Sequence, residues 1–184
     1  MDPKRKTVRI DYDAEKKELN QISSLHPTFF SQVQEGISFT MFHRHRNTKL
    51  VYLSLKGSFL ELTKVNHWDK NRDEAKCERY SLILSPSYKT NRSQEQLDVL
   101  KNSIYFSAIS LQDSELSVCK TALNSGKFYL SQGREEFGGF LFYDDQNQIV
   151  GMVWIIYGFG LIEFVRDGYP VEKALSLMKI AGKE

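Results

Sequence analysis

The densest group of side chains that could bind a ligand lies in one short stretch rich in histidine and arginine. Its candidate binding residues are Phe42, His43, Arg44, His45, Arg46 and Lys49. Cations beside an aromatic ring can neutralise phosphates and stack on bases. On a strand the two histidines would project to one side and the two arginines to the other. The stretch predicts either a binding surface at a hairpin tip or a solvated turn whose charges protect a sheet edge from aggregation.

Nucleic acid is one partner that this basic stretch could bind. Lys4 to Lys6, together with Lys89 and Arg92, would add positive charge to the same surface. The chain as a whole does not demand such a partner, because 25 basic and 23 acidic residues leave a net charge of only +2. We therefore keep nucleic-acid binding through the basic hairpin 43–49 as an alternative hypothesis, one that requires affinity to fall steeply with salt.

The histidines also suggest two kinds of chemistry. His43 and His45 have the spacing of a metal-binding pair, which His67, Asp69 or Cys77 could complete. The same three histidines with acidic partners could instead act as general acids and bases in an enzyme. No second short-spaced ligand pair and no nucleophile motif accompanies them. An enzyme is thus a second alternative, and we predict neither a metal nor a cofactor.

Aromatic residues make up 12% of the chain, and several occupy positions that the predicted strands do not obviously bury. These are Phe29, Phe30, Phe42, Trp68, Tyr88 and Phe159. Aromatic side chains near arginine are enriched at protein interfaces, because they give a large desolvated contact at small entropic cost. The pattern favours a non-enzymatic protein–protein interaction module: a cytosolic binder, adaptor or inhibitor that uses the basic stretch and Trp68. By analogy alone, a toxin-neutralising immunity protein is one specific form.

Length and composition fit one globular domain over residues 1–184, with 41% apolar and 26% charged residues. Two cysteines without CxxC spacing fit a reducing compartment. The first residues lack the apolar block of a signal peptide, and the longest uncharged apolar-rich run, 149–162, is shorter than the ~18 residues that span a bilayer. We expect a cytoplasmic protein without a membrane partner.

Apolar residues at every second position predict the strands. The predicted segments are 7–12, 37–42, 50–55, 59–65, 80–84, 104–111, 137–143, 148–157 and 161–165. The segment 148–157 is apolar on both faces, which is typical of a central strand covered on both sides. The charged stretch 67–76 predicts an exposed loop or a frayed helix.

Apolar residues at helical spacing predict the helices. They are expected over 13–26, near 29–36, after the capping residue Ser93, over 113–125, and from Pro170 to the C-terminal region. The pattern is clearest over 113–125, where Cys119 belongs to the apolar stripe. On the last helix Val171, Ala174, Leu175 and Met178 should face the core. The predicted fold is α+β: one largely antiparallel, meander-rich sheet of about seven to eight strands with three to four helices packed on it.

Overall fold

A computed structural model describes residues 11–42, 50–69, 74–85, 94–110, 119–120, 127–130, 136–156 and 160–179. The helices in these ranges are α1 (Tyr12–Leu25), α2 (Phe29–Glu35), α3 (Gln94–Leu100) and α4 (Val171–Leu177). The strands are β1 (Ile37–Met41), β2 (Leu50–Lys56), β3 (Phe59–Asp69), β4 (Glu74–Ser85), β5 (Ser103–Ser110), β6 (Cys119–Lys120), β7 (Lys127–Leu130), β8 (Glu136–Tyr143), β9 (Ile149–Ile156) and β10 (Gly160–Arg166). The predicted α+β class with a largely antiparallel sheet is confirmed.

Eight of the strands form a closed antiparallel sheet in the order β3-β2-β1-β10-β9-β8-β5-β4. The pairing of β3 with β4 completes the circle, with Leu60 opposite Leu82 and Leu62 opposite Tyr80. Outside the circle β7 runs parallel to the first residues of β4, and β6 pairs with β7. The predicted meander of the three strands between Ile37 and Val65 is confirmed by the β1–β2 and β2–β3 pairings, whereas closure of the sheet was not anticipated.

The interior of the closed sheet is apolar. Cross-strand partners continue one buried face around the circle, and its largest fully buried members are Phe39, Leu53, Leu60, Tyr80, Phe106, Trp154 and Phe164. Aromatic rings pack against one another there, with Phe137 and Trp154 centroids 4.5 Å apart and Trp154 and Phe164 centroids 4.4 Å apart. An eight-stranded closed sheet has an interior just wide enough to be filled by side chains or to hold one small ligand, which leaves no room for a helix. The helices must therefore lie on its outer face or across its ends.

Helix α4 covers part of the outer face. Its Ala174 and Met178, four residues apart on one side of the helix, pack with Val153 and Val165 in a second apolar cluster. Gly151 permits the close approach, because a Cβ atom there would lie 2.5 Å from the Met178 sulfur. Strand β9 is thus covered on both sides, as predicted. No helix within the described ranges is both long enough and apolar enough to cross a membrane.

Helix α2 crosses one end of the closed sheet, called here the helix end. Its buried Gln32 donates from Nε2 to the Asn147 carbonyl at 2.7 Å. The Gln32 Oε1 accepts from the Ile149 N–H at 2.8 Å and from Arg166 Nη1 at 2.7 Å. One amide therefore joins α2 to the β8–β9 turn and to β10. The opposite end, where β1 and β9 finish and β10 begins, is called the loop end.

Several predicted boundaries are wrong. Tyr12, expected at the end of a strand over 7–12, is the first residue of α1, because the Asp11 side chain accepts from the Ala14 N–H at 3.1 Å and caps the helix. Residues 7–10 lie outside the described part of the chain. Val171, expected to face the core, is 42% exposed, because the buried side of the short helix α4 is set by Ala174 and Met178.

Two longer predictions also fail where the structure describes them. The stretch 67–76 contains the end of β3 and the start of β4 rather than a loop or frayed helix, since Trp68 pairs with Ala75. Cys119 and Lys120, predicted to be helical, form β6 through pairing with β7. In both cases pairing with a neighbouring strand outweighs the local pattern. The rest of the predicted helix 113–125 lies outside the described residues.

A buried ion pair spans the junction that closes the sheet. Arg79 of β4 donates from Nε to Glu61 Oε2 of β3 at 2.9 Å, and its Nη2 contacts the same oxygen. The Arg79 side chain is almost fully buried, and Glu61 is 8% exposed. Lys56, which is half-exposed, approaches Glu61 Oε2 at 3.5 Å. The junction thus combines a backbone ladder with a charged contact shielded from water.

Replacing Arg79 with Met should lower the free energy of unfolding by about 3 kcal/mol, because the Glu61 carboxylate would stay buried without its main cation. The double variant Arg79→Met with Glu61→Leu removes both charges and should lower the free energy of unfolding by clearly less. Urea unfolding of both variants, with Lys56→Met as the exposed control that should change stability by less than about 1 kcal/mol, measures this. A double variant as unstable as Arg79→Met would contradict the assignment of Arg79 and Glu61 as a buried ion pair.

The junction between α1 and α2 contains a histidine with pH-dependent consequences. The His26 ring packs on Tyr143, with centroids 4.1 Å apart, and its buried Nδ1 has no partner among the described residues. Burial lowers the pKa of His26 below its usual 6.5, against a smaller raising effect of its hydrogen bond with Asn147. The neutral ring is therefore the form that fits the fold.

A lowered folded-state pKa means that the unfolded chain binds the proton more tightly. Stability should therefore fall as pH drops below 6.5 towards the lowered pKa of His26. In His26→Phe, which keeps a ring against Tyr143, this dependence of the free energy of unfolding on pH should disappear. Urea unfolding between pH 5 and 7.5 tests it. Identical slopes for the two proteins would show that His26 does not titrate with folding.

Candidate functional site

Phe42 is the member of the predicted binding stretch that the structure describes. It follows β1 directly, and its N–H donates to the Glu163 carbonyl of β10 at 2.9 Å. The Phe42 side chain is 46% exposed. The other members, His43, Arg44, His45, Arg46 and Lys49, lie outside the described residues. The stretch therefore starts next to β10, at the loop end of the closed sheet.

Trp68, the remaining predicted binding residue, lies on β3 opposite Ala75, and its side chain is outside the described part of the structure. His67 is on the same strand opposite Lys76. Among the described residues, no group of three or more His, Cys, Asp and Glu side chains could hold a metal ion. The metal hypothesis therefore has no ligand cluster within the described ranges, and the catalytic hypothesis stays a prediction.

The aromatic residues proposed for an interface separate into two kinds. Phe29 is 1% exposed and belongs to the core at the helix end, so its assignment to a surface was wrong. Phe30 is partly buried against the same core. Tyr88 and Phe159 lie outside the described residues. Among the described residues of this set, Phe42 is the one whose side chain is largely exposed.

Phe42 has an exposed apolar neighbour on the next strand. Met41 pairs with Phe164, so the following position, Phe42, faces Glu163 across the β1–β10 ladder. Leu161, two residues from Glu163 on the same face, is 40% exposed. Diagonal neighbours of this kind have Cβ atoms roughly 7 Å apart, within reach of large side chains. Phe42, Leu161 and Glu163 form one outer-face surface, called here the Phe42 patch.

Glu163 is surrounded by apolar positions in this patch. Its cross-strand neighbours are Phe42, directly after β1, and Val153 on β9, and its same-face neighbours along β10 are Leu161 and Val165. Desolvation by this surrounding raises the pKa of Glu163 above its usual 4.5. Within the described part of the chain its carboxylate has neither an ion-pair nor a hydrogen-bond partner. A half-buried carboxylate is therefore set in an apolar surface and is not neutralised there.

The sequence did not lead us to Leu161 and Glu163, although the alternation of residues along 160–166 could have identified them. The segment 160–166 reads Gly-Leu-Ile-Glu-Phe-Val-Arg, and alternation places Leu161, Glu163 and Val165 on one face. A single acidic residue in the middle of an apolar face is the unusual feature. Its position beside Phe42 depends on pairing between β1 and β10, which are far apart in the chain.

Comparison of the chain with protein-family models, with curated proteins and with solved structures gave no match.

Replacing Glu163 with Gln should raise stability at pH 7, by less than about 1 kcal/mol at this partly exposed position. A raised folded-state pKa means that the folded protein binds the proton more tightly. Stability should therefore fall as pH rises from 4.5 through the raised pKa of Glu163. This dependence of stability on pH should be missing in Glu163→Gln, as thermal unfolding at several pH values would show. A variant less stable than wild type at pH 7 would imply a favourable contact for the carboxylate.

Proposed function

We propose that this chain is a non-enzymatic, cytoplasmic protein-binding module and that the Phe42 patch is part of its docking surface. One observation carries the proposal: two exposed large apolar side chains, Phe42 and Leu161, flank a half-buried carboxylate that has no described partner. A few anchor side chains that become buried against the partner, often aromatic ones, supply most of the binding energy at protein interfaces. An inhibitor or immunity protein would be one form of such a module.

The patch favours a partner of particular chemistry. Glu163 is partly desolvated in the free protein, so a cation placed on it gains more attraction than it would at a fully hydrated carboxylate. Apolar side chains on the partner would cover Phe42 and Leu161. We infer a partner segment that carries Lys or Arg among apolar residues. The carboxylate beside Phe42 would repel a phosphate backbone, which makes nucleic acid the less favoured occupant of this patch.

The test is capture of partners from native lysate by the tagged full-length chain, repeated with Phe42→Ser, Leu161→Ser and Glu163→Lys. Matched controls are Leu25→Ser and Val171→Ser, which remove exposed apolar side chains on α1 and α4 that are 57% and 42% exposed. A protein captured by wild type and by both controls, but reduced at least tenfold by each patch variant, is the expected result. Thermal unfolding of every variant separates lost binding from lost folding.

Each other outcome would overturn the proposal. A partner retained by all three patch variants would place the interface elsewhere. Nucleic acid that is lost at high salt or after nuclease treatment would instead support binding through the basic hairpin 43–49. An eluate without any stoichiometric protein would remove the argument for a binding module, and a catalytic role for the histidines would then be the hypothesis to pursue.

A further inference from the structure

A second feature, independent of the Phe42 patch, lies inside the closed sheet. Lys64 of β3 and Glu78 of β4 are opposite each other on the interior face, whose fully buried side chains are apolar or aromatic. We name them the interior pair. Their side chains are 13% and 17% exposed, so both retain access to solvent. They occupy positions near the loop end, opposite the end that α2 crosses.

The Lys64 ammonium is not fully engaged by its neighbour. Its Nζ is 3.8 Å from Glu78 Oε2, which is beyond hydrogen-bond distance. The same Glu78 oxygen accepts from the Tyr80 hydroxyl. Lys64 makes no hydrogen bond to any described residue, although an ammonium group has three N–H donors. The cation is therefore held in place while its donors remain available.

Two aromatic side chains, Trp154 and Phe137, lie below this cation and are called here the aromatic floor. The Lys64 Nζ lies 5.6 Å from the centroid of the Trp154 ring, and Trp154 comes from β9 on the opposite side of the circle. Lys64 thus reaches across the interior. Phe137 packs on Trp154 and on Tyr80, and Phe137 and Ile162 remain partly exposed. Apolar surface and both charges are therefore accessible in one place.

We propose that the interior pair and its aromatic floor form a binding site for a small zwitterion with an apolar body, namely a free α-amino acid with an aromatic or branched side chain. The carboxylate of the ligand would accept from Lys64, its ammonium would donate to Glu78, and its side chain would contact Phe137 and Ile162. A simple anion fits less well because Glu78 lies beside the cation. A simple cation fits less well because the Lys64 ammonium would repel it.

The experiment uses the full-length chain carrying Trp68→Phe, so that fluorescence excited at about 295 nm reports Trp154 alone. L-phenylalanine, N-acetyl-L-phenylalanine and L-phenylalaninamide are titrated to about 20 mM, a range suited to the weak affinities of small ligands. The amino acid should change Trp154 emission saturably. The two analogues, each lacking one charge, should bind at least tenfold more weakly. This comparison needs no variant of the interior pair.

Lys64→Met, which keeps the side-chain stem, should weaken phenylalanine binding at least tenfold. The matched control is Lys101→Met, which removes the lysine of the exposed pair with Asp98, whose Nζ–Oδ1 distance is 2.8 Å. It should leave binding unchanged. The proposal is overturned if phenylalanine has no saturable effect, if N-acetyl-L-phenylalanine binds equally well, or if a folded Lys64→Met binds like wild type.

Discussion

The pairing of β3 with β4 is the constraint on which the rest of the structure depends. These neighbouring strands could form an ordinary hairpin at the edge of an open sheet. Here β3 pairs with β2 on its other side, and β4 pairs with β5, so the hairpin joins the two ends of one eight-stranded circle. Closure leaves no unpaired edge among these eight strands. The Glu61–Arg79 contact adds a buried charge pair across that junction.

Closure determines where everything else can lie. Side chains from all eight strands fill the interior, and helices are left with the outer face and the ends. Helix α2 takes one end, where Gln32 uses both ends of its amide to join three elements. At the other end the core finishes with Lys64, whose ammonium lies over Trp154. The two ends therefore differ: helix α2 crosses one of them, and the other carries the Lys64–Glu78 pair.

Both proposed binding sites depend on the same arrangement. Strand β10 begins at the loop end and carries Leu161 and Glu163 outward while Ile162 and Phe164 face the interior. The Phe42 patch is consequently on the outer face at β10, whereas the interior pair is on the inner face of β3 and β4. A protein partner on the outer face and a small ligand at the loop end could each be bound without displacing the other.

Local patterns predicted those parts of the fold that local physics determines. The α1 helix, the β8–β9 hairpin and the double coverage of β9 follow from apolar spacing, because Met152 and Trp154 face one core while Val153 faces the other. Pairing between distant strands carries no such signature. The β4–β7 pairing, the β1–β10 and β5–β8 pairings that complete the circle, and the proximity of Phe42 to Glu163 all depend on it. Charge density at 67–76 favoured a loop, whereas pairing in β3 and β4 keeps the backbone extended.

Amide hydrogen exchange along β3 tests closure of the sheet most directly. If β3 is paired on both sides, consecutive amides from Leu60 to Thr63 should all exchange slowly, with protection near that of the interior strand β9. If β3 were instead a free edge, every second amide in that segment would exchange rapidly. Alternating protection along Leu60 to Thr63 would contradict the closed sheet and, with it, the interior position of Lys64.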